Sequence, residues 1–450
     1  MNRSELIRKY NVAGPRYTSY PTVPYWDNPP KTIDWLDSVN LQLDHNQNVC
    51  LYIHLPFCES LCTYCGCNTR ITTNHSVEEP YIEALLKEWM MYINKFETTP
   101  TIREIHLGGG TPTFFSPVNL ALLLNGIFSL ANKHADLECS FEAHPQNTTV
   151  QHLEELYRWG FRRVSFGIQD FNSDVQKIIN RKQSFEKVQE ITHVARQVGF
   201  TSINFDLIYG LPLQTVNTIM DTINKVCILR PDRIAFYSYA HVPWIKRSQR
   251  KFTEHDLPIG LAKSLLYEAG KELLENVGYI EVGMDHFVLK SDVLFEAMSG
   301  DSLNRNFMGY TTSRNKLLVG LGVSSISDSW NCFVQNVKTV EEYYDSIAKN
   351  ELPIFKGHLL NKEDQIIRSH ILNIMCRFET NWNSPELQIL EMDQILNRLS
   401  ELESDGLIEL TPFHLKVTSK GRAFIRNICM AFDLRLMRNS PMSVLFSSTV

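Results

Sequence analysis

No stretch of this sequence approaches the roughly eighteen consecutive apolar residues that a membrane-spanning helix needs, so a helical membrane protein is not expected. An excess of positive charge is missing too. Lys+Arg 44 against Asp+Glu 50 give a formal net charge of -6, and nothing in that balance draws the chain to nucleic acid or to an anionic membrane. Residues 1–28 lack the apolar core of a secretion signal, having a polar start followed by aromatics and prolines, and a cytoplasmic location is the expectation. Low-complexity tracts and fixed-period repeats are absent. What is present is the composition of a folding chain: 43% hydrophobic and 21% charged residues over 450 positions, enough for several average domains or one large α/β barrel with attachments.

Ten cysteines without a secretion signal suit reduced thiols or metal ligation better than a disulfide framework. Cys58, Cys62, Cys65 and Cys67 fall within ten residues, whereas Cys50, Cys139, Cys227, Cys332, Cys376 and Cys429 are scattered and read as packed thiols. Six β-rich segments, 50–55, 104–107, 138–144, 163–169, 202–208 and 233–240, alternate with amphipathic segments at 78–96, 119–133, 183–198 and 215–229. That cadence predicts parallel strands joined by helical crossovers. Chemically unusual loops follow the strands, namely HLPFC, GGGTPT, EAHP, GIQDF and DLIYGLP, as functional groups do in α/β folds. An arm rich in Pro and aromatics, PRYTSYPTVPYW, precedes the first strand. After Phe252 the pattern is mainly helical, with further motifs GMDHF (283–287), RNFMGYTT (305–312) and LLVGLGVSSIS (317–327). From about Leu360 it reads helix, helix, a strand pair around GLIELTPFHLKVT and a last helix near Ser419, a winged-helix-like unit without the dense Lys/Arg face used on DNA. The expected organisation is an arm (1–49), a barrel (50–290), a barrel-closing and connecting segment (291–359) and a helical C-terminal domain (360–450).

The string HLPFCESLCTYCGCN sets three thiols at Cys58-x3-Cys62-x2-Cys65 in a loop leaving the first strand. A structural zinc site takes ligand pairs separated by a longer loop, and an ordinary ferredoxin cluster takes four ligands at other spacings. Three thiolates on a cubane leave one iron without a protein ligand, and an open iron is where a substrate or cofactor can bind and receive an electron. At these residues the sequence resembles the radical S-adenosylmethionine superfamily, whose signature Cys-x3-Cys-x-aromatic-Cys is matched by Cys58, Cys62, Tyr64 and Cys65. The resemblance implies a 4Fe-4S cluster held by Cys58, Cys62 and Cys65, with S-adenosylmethionine on the open iron and Tyr64 against its adenine. The turn GGGTP (108–112) then resembles the superfamily's glycine-rich element for the methionyl amino group; alone it is equally a tight strand-to-helix turn.

The extra Cys67, the arm PRYTSYP (15–21) and the strings FGIQDFN, DLIYGLP, GMDHF, RNFMGYTT and RNICM together resemble the oxygen-independent coproporphyrinogen III oxidase family, from about Ile7 to Phe432. The resemblance implies an α/β fold: a partial (β/α)6 TIM-like barrel of the radical SAM type, with an N-terminal arm and a mainly helical, winged-helix-like C-terminal domain. It implies a monomer that decarboxylates the ring A and B propionates of coproporphyrinogen III to vinyls in haem biosynthesis, served by a flavodoxin- or ferredoxin-type electron donor. Two S-adenosylmethionine molecules are implied, one near Tyr52, Tyr64, Gly109, Glu142 and Ile326, the other near Gly110, Thr111, Gln169, Arg181, Asp206 and Ala240. Read singly, the buried acids need only an Arg partner, and Arg181 is equally a solvated helix-end residue. Four substrate propionates ask for cationic or hydrogen-bonding groups, for which Arg16, Tyr17 and Arg305 are candidates; surface ion pairs are the plain alternative. His286 is either a proton donor or a core hydrogen-bonding residue.

One departure stands out. After the third strand His144 and Gln146 occupy places where many family members have an acidic residue and Arg, so the geometry around the second cofactor is open there. Two rivals differ in specific features. A related haem-binding chaperone usually lacks the fourth Cys and the arm and carries His-Asn-x-x-Tyr-Trp, whereas His45-Asn46 is followed here by Gln-Asn-Val-Cys. A zinc-bound winged-helix nucleic-acid protein would need a basic face on the C-terminal unit.

Overall fold

The structure, a computed structural model, describes residues 1–439 and 445–449. The arm supplies α1 (Arg3–Tyr10) and α2 (Thr32–Asn46). Six parallel strands follow: β1 (Asn48–Leu55), β2 (Thr101–Gly109), β3 (Asn132–Ala143), β4 (Phe161–Gln169), β5 (Ser202–Tyr209) and β6 (Arg233–Ser238). Crossovers run through α3 (Glu78–Ile93), α4 (Pro117–Phe128), α5 (Val150–Arg158), α6 (Ser173–Ile178) with α7 (Phe185–Val198), and α8 (Val216–Leu229). All six expected strands and all four expected helices are present. The additional α5 and α6 are nine and six residues long, too short to declare a period in sequence. Ser116, Thr149, Ser184 and Thr215 each accept the backbone N–H three residues on, which starts α4, α5, α7 and α8 where their strands have just ended.

Alternation lets each strand serve two surfaces. In β1, Val49, Leu51, Ile53 and Leu55 are fully buried in the main apolar core, which includes Leu85 and Trp89 of α3, while Tyr52 and His54 face the barrel interior. Beyond β6 the chain adds α9 (Leu261–Asn276) and the antiparallel β7 (Tyr279–Gly283) and β8 (His286–Leu289). A separate hairpin, β9 (Asn304–Asn306) with β10 (Gly309–Thr311), follows. Then β11 (Leu318–Leu321) pairs parallel with the free edge of β1, and β12 (Ile326–Asp328), β13 (Cys332–Asn336) and β14 (Ile354–Leu359) continue antiparallel from it. The result is one open twelve-stranded sheet, β14-β13-β12-β11-β1-β2-β3-β4-β5-β6-β8-β7, a partial barrel around the six βα strands. The expectation of a mainly helical pattern after Phe252 is therefore corrected. Residues 279–359 provide eight strands, each of three to six residues, which carry too few alternations to register as strands.

The C-terminal unit runs α10 (Lys362–Arg377), β15 (Glu379–Asn381), α11 (Met392–Ser404), the hairpin β16 (Ile408–Thr411) and β17 (His414–Val417), then α12 (Ile425–Phe432). This is the winged-helix-like order expected. The start of the arm is part of that unit's core, where Leu6, Ile7, Tyr10, Tyr17 and Tyr20 pack with Ile371 of α10, Leu399 of α11 and Ile428 of α12, whereas Trp35, Leu36, Val39 and Leu43 of α2 join the main core. Among the described residues no helix is long and apolar enough to cross a membrane.

Candidate active site

β1 ends at Leu55 and turns at once into the loop that carries the thiols. Residues Phe57–Cys58 pair in parallel with Arg70–Ile71, so the loop leaves and returns at one place. Groups from other strand exits hold it in between. Thr63 N–H donates to Ile179 O at 3.0 Å, Asn180 Nδ2 to Leu61 O at 2.8 Å, Lys246 Nζ to Cys67 O at 2.9 Å and Gln249 Nε2 to Tyr64 O at 2.9 Å. Gln249 is buried; its amide also donates to Ala240 O at 3.2 Å and accepts from Val242 N–H at 2.6 Å. The glycine-rich turn has a local cause. Gly110 N–H donates to Leu55 O and Thr111 N–H to Phe57 O, and a Cβ on Gly110 would come within 2.6 Å of the Pro56 carbonyl. Only glycine lets the end of β2 pack this closely against the segment that launches the thiols.

Cys58, Cys62, Cys65 and Cys67 are free thiols lining a cavity of about 390 Å³. Its walls are alternate residues of the strands, among them His106 of β2, Ser140 and Glu142 of β3, Arg163 and Ser165 of β4, Asn204 and Asp206 of β5, and Arg233 and Tyr237 of β6. Arg181 Nη1 lies 3.6 Å from Cys62 Sγ while the rest of its guanidinium donates to Gly167 O, and Thr111 Oγ1 lies 3.3 Å from Cys58 Sγ. Both neighbours can stabilise sulfur in the thiolate state. The hydrogen bond from the Cys67 thiol holds Cys65 below the ordinary thiol range. Soft thiol donors with hydrogen-bond donors at their sulfurs fit an iron–sulfur cluster. Among the described residues no three His, Cys, Asp or Glu side chains are arranged to hold one metal ion; a cubane, taking each thiolate on a different iron, needs no single point of convergence.

The titratable groups of the wall are set apart by their partners. Burial pushes Glu142 up, but His106 at 3.6 Å and the Gly109 N–H at 3.0 Å outweigh it and hold the carboxyl below its usual range. Asp206 accepts from Ser165 and Asn204, both at 2.8 Å, yet burial dominates and pushes it up to about 6. His144 is pushed down to about 3 by burial and by Arg181, so it is neutral in the cavity wall. His286, lowered to about 4 by burial, faces Met284 O through Nδ1 at 2.9 Å, and that carbonyl assigns the proton to Nδ1. Its Nε2 is thus an acceptor toward Tyr237 Oη at 3.4 Å.

Of the residues singled out in sequence, Tyr64, Gly109, Gly110, Thr111, Glu142, Gln169, Arg181, Asp206 and His286 line this cavity with the thiols. Gln169 does so in a left-handed conformation, φ 68°. Tyr52 stands behind the wall, stacked on His106 with its hydroxyl 3.0 Å from His54 Nδ1. Ala240 follows β6 with its carbonyl taken by Gln249, and Ile326 of β12 packs beside Trp26, Phe333 and Leu360. Tyr17 is a correction: it is 2% exposed in the second core and donates to Asp433 at 3.0 Å, because the arm turns its aromatics toward the C-terminal unit. Arg16 donates to Ser238 O, lies 3.9 Å from Asp285 and lines a separate cavity of about 350 Å³. Arg305 is buried over the Tyr310 ring, 4.8 Å from its centroid. Gln146 is exposed and outside the cavity wall. Missed in sequence were His106, Ser140, Arg163, Asn204, Arg233 and Gln249. The first five lie at alternate positions of polar residues within predicted strands, the available sign of a lined interior; Gln249 sits in a loop and carries no such sign.

Residues 52–226 match the radical SAM superfamily, a segment that holds the thiol loop, the glycine turn, Glu142, Gln169, Arg181 and Asp206. The chain is 37% identical over 444 residues to the oxygen-independent coproporphyrinogen III oxidase of Escherichia coli (strain K12), covering 97% of this chain and 96% of that protein. The chain belongs to the oxygen-independent coproporphyrinogen III oxidase family. The homologue of that name from Synechocystis sp. is 36% identical over 446 residues, again covering 97% and 96% of the two chains. A solved structure of coproporphyrinogen III oxidase from Escherichia coli, described there as a radical SAM enzyme, superposes with a TM-score of 0.87 at 36% identity over 93% of this chain and 97% of that one. A 4Fe-4S cluster and S-adenosylmethionine are implied for an oxygen-independent coproporphyrinogen III oxidase built this way, and the thiol loop is where the donor set suits them.

Proposed function

We propose that this chain carries out the oxygen-independent oxidative decarboxylation of coproporphyrinogen III, turning the ring A and B propionates into vinyls and giving protoporphyrinogen IX and carbon dioxide in haem biosynthesis. The observation that carries the reading is the meeting of three free thiols, a glycine turn and a ring of inward polar side chains at one cavity, in a chain matched end to end by relatives of that name. Each CH2CH2COO⁻ arm becomes CH=CH2 by losing one hydrogen atom from its β-carbon, one electron and carbon dioxide. When bound on Cys58, Cys62 and Cys65, a 4Fe-4S cluster with S-adenosylmethionine would supply the hydrogen-atom abstraction.

The chain's own residues orient and enclose. Glu142, ionised and fixed by the Gly109 N–H, suits a ligand ammonium or hydroxyl; Asp206 suits ribose hydroxyls; Arg181 suits a carboxylate. On this reading Tyr52, Tyr64, Gly109, Glu142 and Ile326 attend one S-adenosylmethionine and Gly110, Thr111, Gln169, Arg181, Asp206 and Ala240 a second. Enclosure matters because abstraction takes whichever C–H bond is nearest, so the wall must present one propionate and exclude solvent. The reading includes a cytoplasmic monomer and a flavodoxin- or ferredoxin-type electron donor.

Anaerobic incubation with reductant, S-adenosylmethionine and coproporphyrinogen III should yield the divinyl product; stoichiometric haem binding without turnover would favour the chaperone instead. Cys62→Ala should lose both iron and turnover. Retention of both in that variant would refute the assignment. A colourless, iron-free protein after anaerobic reconstitution would favour the zinc reading.

A further inference from the structure

A third cavity, of about 210 Å³ and polar, lies at the opposite end of the barrel from the thiols. Cys50, near the start of β1, and Leu318, at the start of β11, border it, whereas the thiol loop leaves the far end of β1, whose eight residues span about 25 Å. Arg305, Arg314, Lys316, Arg368 and Arg377 line the cavity against one carboxylate, Asp328. That carboxylate is already taken, since Arg368 Nη1 donates to it at 3.1 Å and Nη2 to its second oxygen. Among the described residues the other four cations form no ion pair. Arg314 and Arg377 donate to the Asp301 carbonyl, Arg377 also to Asn373, and Lys316 rests 5.0 Å from the centre of the Trp330 ring. Arg305 is only 8% exposed; its Nη2 reaches Arg16 O at 3.5 Å, while Nε and Nη1 have no partner. Buried donors left unpaired are destabilising unless an acceptor arrives, and a guanidinium answers best to a carboxylate or phosphate. In a chain of net charge -6, this concentration of unpaired cations does not follow from composition.

The cavity adjoins the catalytic one. Asn306 lines both, and Arg305, its neighbour on β9, stacks on Tyr310, which lines the catalytic wall. We propose that this basic cavity is a carboxylate-binding subsite that holds the propionates of the substrate that are not decarboxylated. The inference rests on the functional reading above, in which a porphyrinogen with four propionates reacts at two and keeps two. Anchoring the spectator carboxylates at the end of the barrel remote from the thiols leaves the reacting arms free to point toward them. An electron donor is not the occupant, because it must approach the thiols at the other end.

The test uses coproporphyrin III, the oxidised and air-stable porphyrin with the same four propionates, titrated by fluorescence into anaerobically prepared holoenzyme. Arg314 and Lys316 are exposed at the rim, so the double variant Arg314→Gln/Lys316→Gln is compatible with folding, and iron content and Tm verify it. The double variant should raise Kd by about tenfold and flatten the dependence of Kd on salt. Arg305→Lys, which keeps the charge and loses the fork, should weaken binding as well. A Kd within about twofold of wild type and an unchanged salt slope in the double variant overturn the proposal. If inorganic phosphate then raises Tm in wild type and not in that variant, the cavity is a phosphate site instead. Wild-type turnover, measured alongside, keeps the two readings distinguishable: absence of vinyl product sinks the functional reading, whereas product with unmoved variant affinity sinks only the subsite.

Discussion

Asp206 shows how the site sets function against stability at a single residue. Its carboxyl, ordinarily ionising near 3.8, is held protonated up to about 6 by burial on the barrel wall. Between those values the unfolded chain releases the proton and the native state keeps it, so stability falls as pH rises from about 4 to about 6 and the loss persists above, on the order of 3 kcal/mol. Asp206→Asn removes that term. The cofactor-free variant should therefore have a higher Tm than wild type at pH 8, the difference closing below pH 4, while its affinity for S-adenosylmethionine falls. An equal Tm at pH 8 would mean that the Ser165 and Asn204 hydrogen bonds compensate fully for burial. At this scale, only covalent neighbours were readable in sequence. The Cys58-Cys62-Cys65 spacing and the glycines are local and stand out, whereas Arg163, Asn204 and Arg233 become one wall only when β4, β5 and β6 pair, and the burial of Tyr17 against Asp433 joins residues 416 positions apart.

Among elements, the thiol loop depends less on its own sequence than on the strand exits around it. Gln249 holds Tyr64, the residue between two of the thiols, and ties it to the end of β6 through Ala240. Gln249→Leu keeps the volume and removes three hydrogen bonds in a buried place, which should destabilise the protein by about 2–3 kcal/mol and speed the loss of iron to a chelator in the absence of turnover. Gln249→Glu retains an acceptor for the Val242 N–H and lacks the two donations, so its iron loss should fall between the two. Chelation rates equal to wild type in both variants would show that the loop is held by Thr63, Asn180, Lys246 and the parallel bridge without Gln249. The six strands and four of the helices between them were legible because strands of Val, Ile, Leu and Phe alternate with amphipathic helices, three of them opened by Ser or Thr caps. The short strands β11 to β14 were not, since their pairing is fixed by what β1 leaves unpaired, a property of the assembled sheet.

Across the whole molecule the arm is the part whose position the sequence could not disclose. Its aromatics make it too apolar to be free, but α1 and the turn after it find partners in the last hundred residues: Tyr10 donates to Asp405 at 2.7 Å, 395 positions away, and Arg426 donates to Pro15 O at 2.9 Å. Two cores result, one formed by the barrel with its helices and α2 of the arm, the other by the first twenty residues of the arm and the C-terminal unit. Leu6 is fully buried in the second and absent from the first. Leu6→Ala should therefore cost about 2–5 kcal/mol, with the cavity it leaves confined to the contacts of α10, α11 and α12. Native-state hydrogen exchange locates the effect: amides of those helices should lose protection while β1 to β5 keep theirs, because the strands' apolar faces pack on α2 to α5, α7 and α8 and not on α1. Equal loss of protection in both regions would mean that the two cores unfold as one cooperative unit, and that the arm stabilises the barrel as strongly as it stabilises the C-terminal helices.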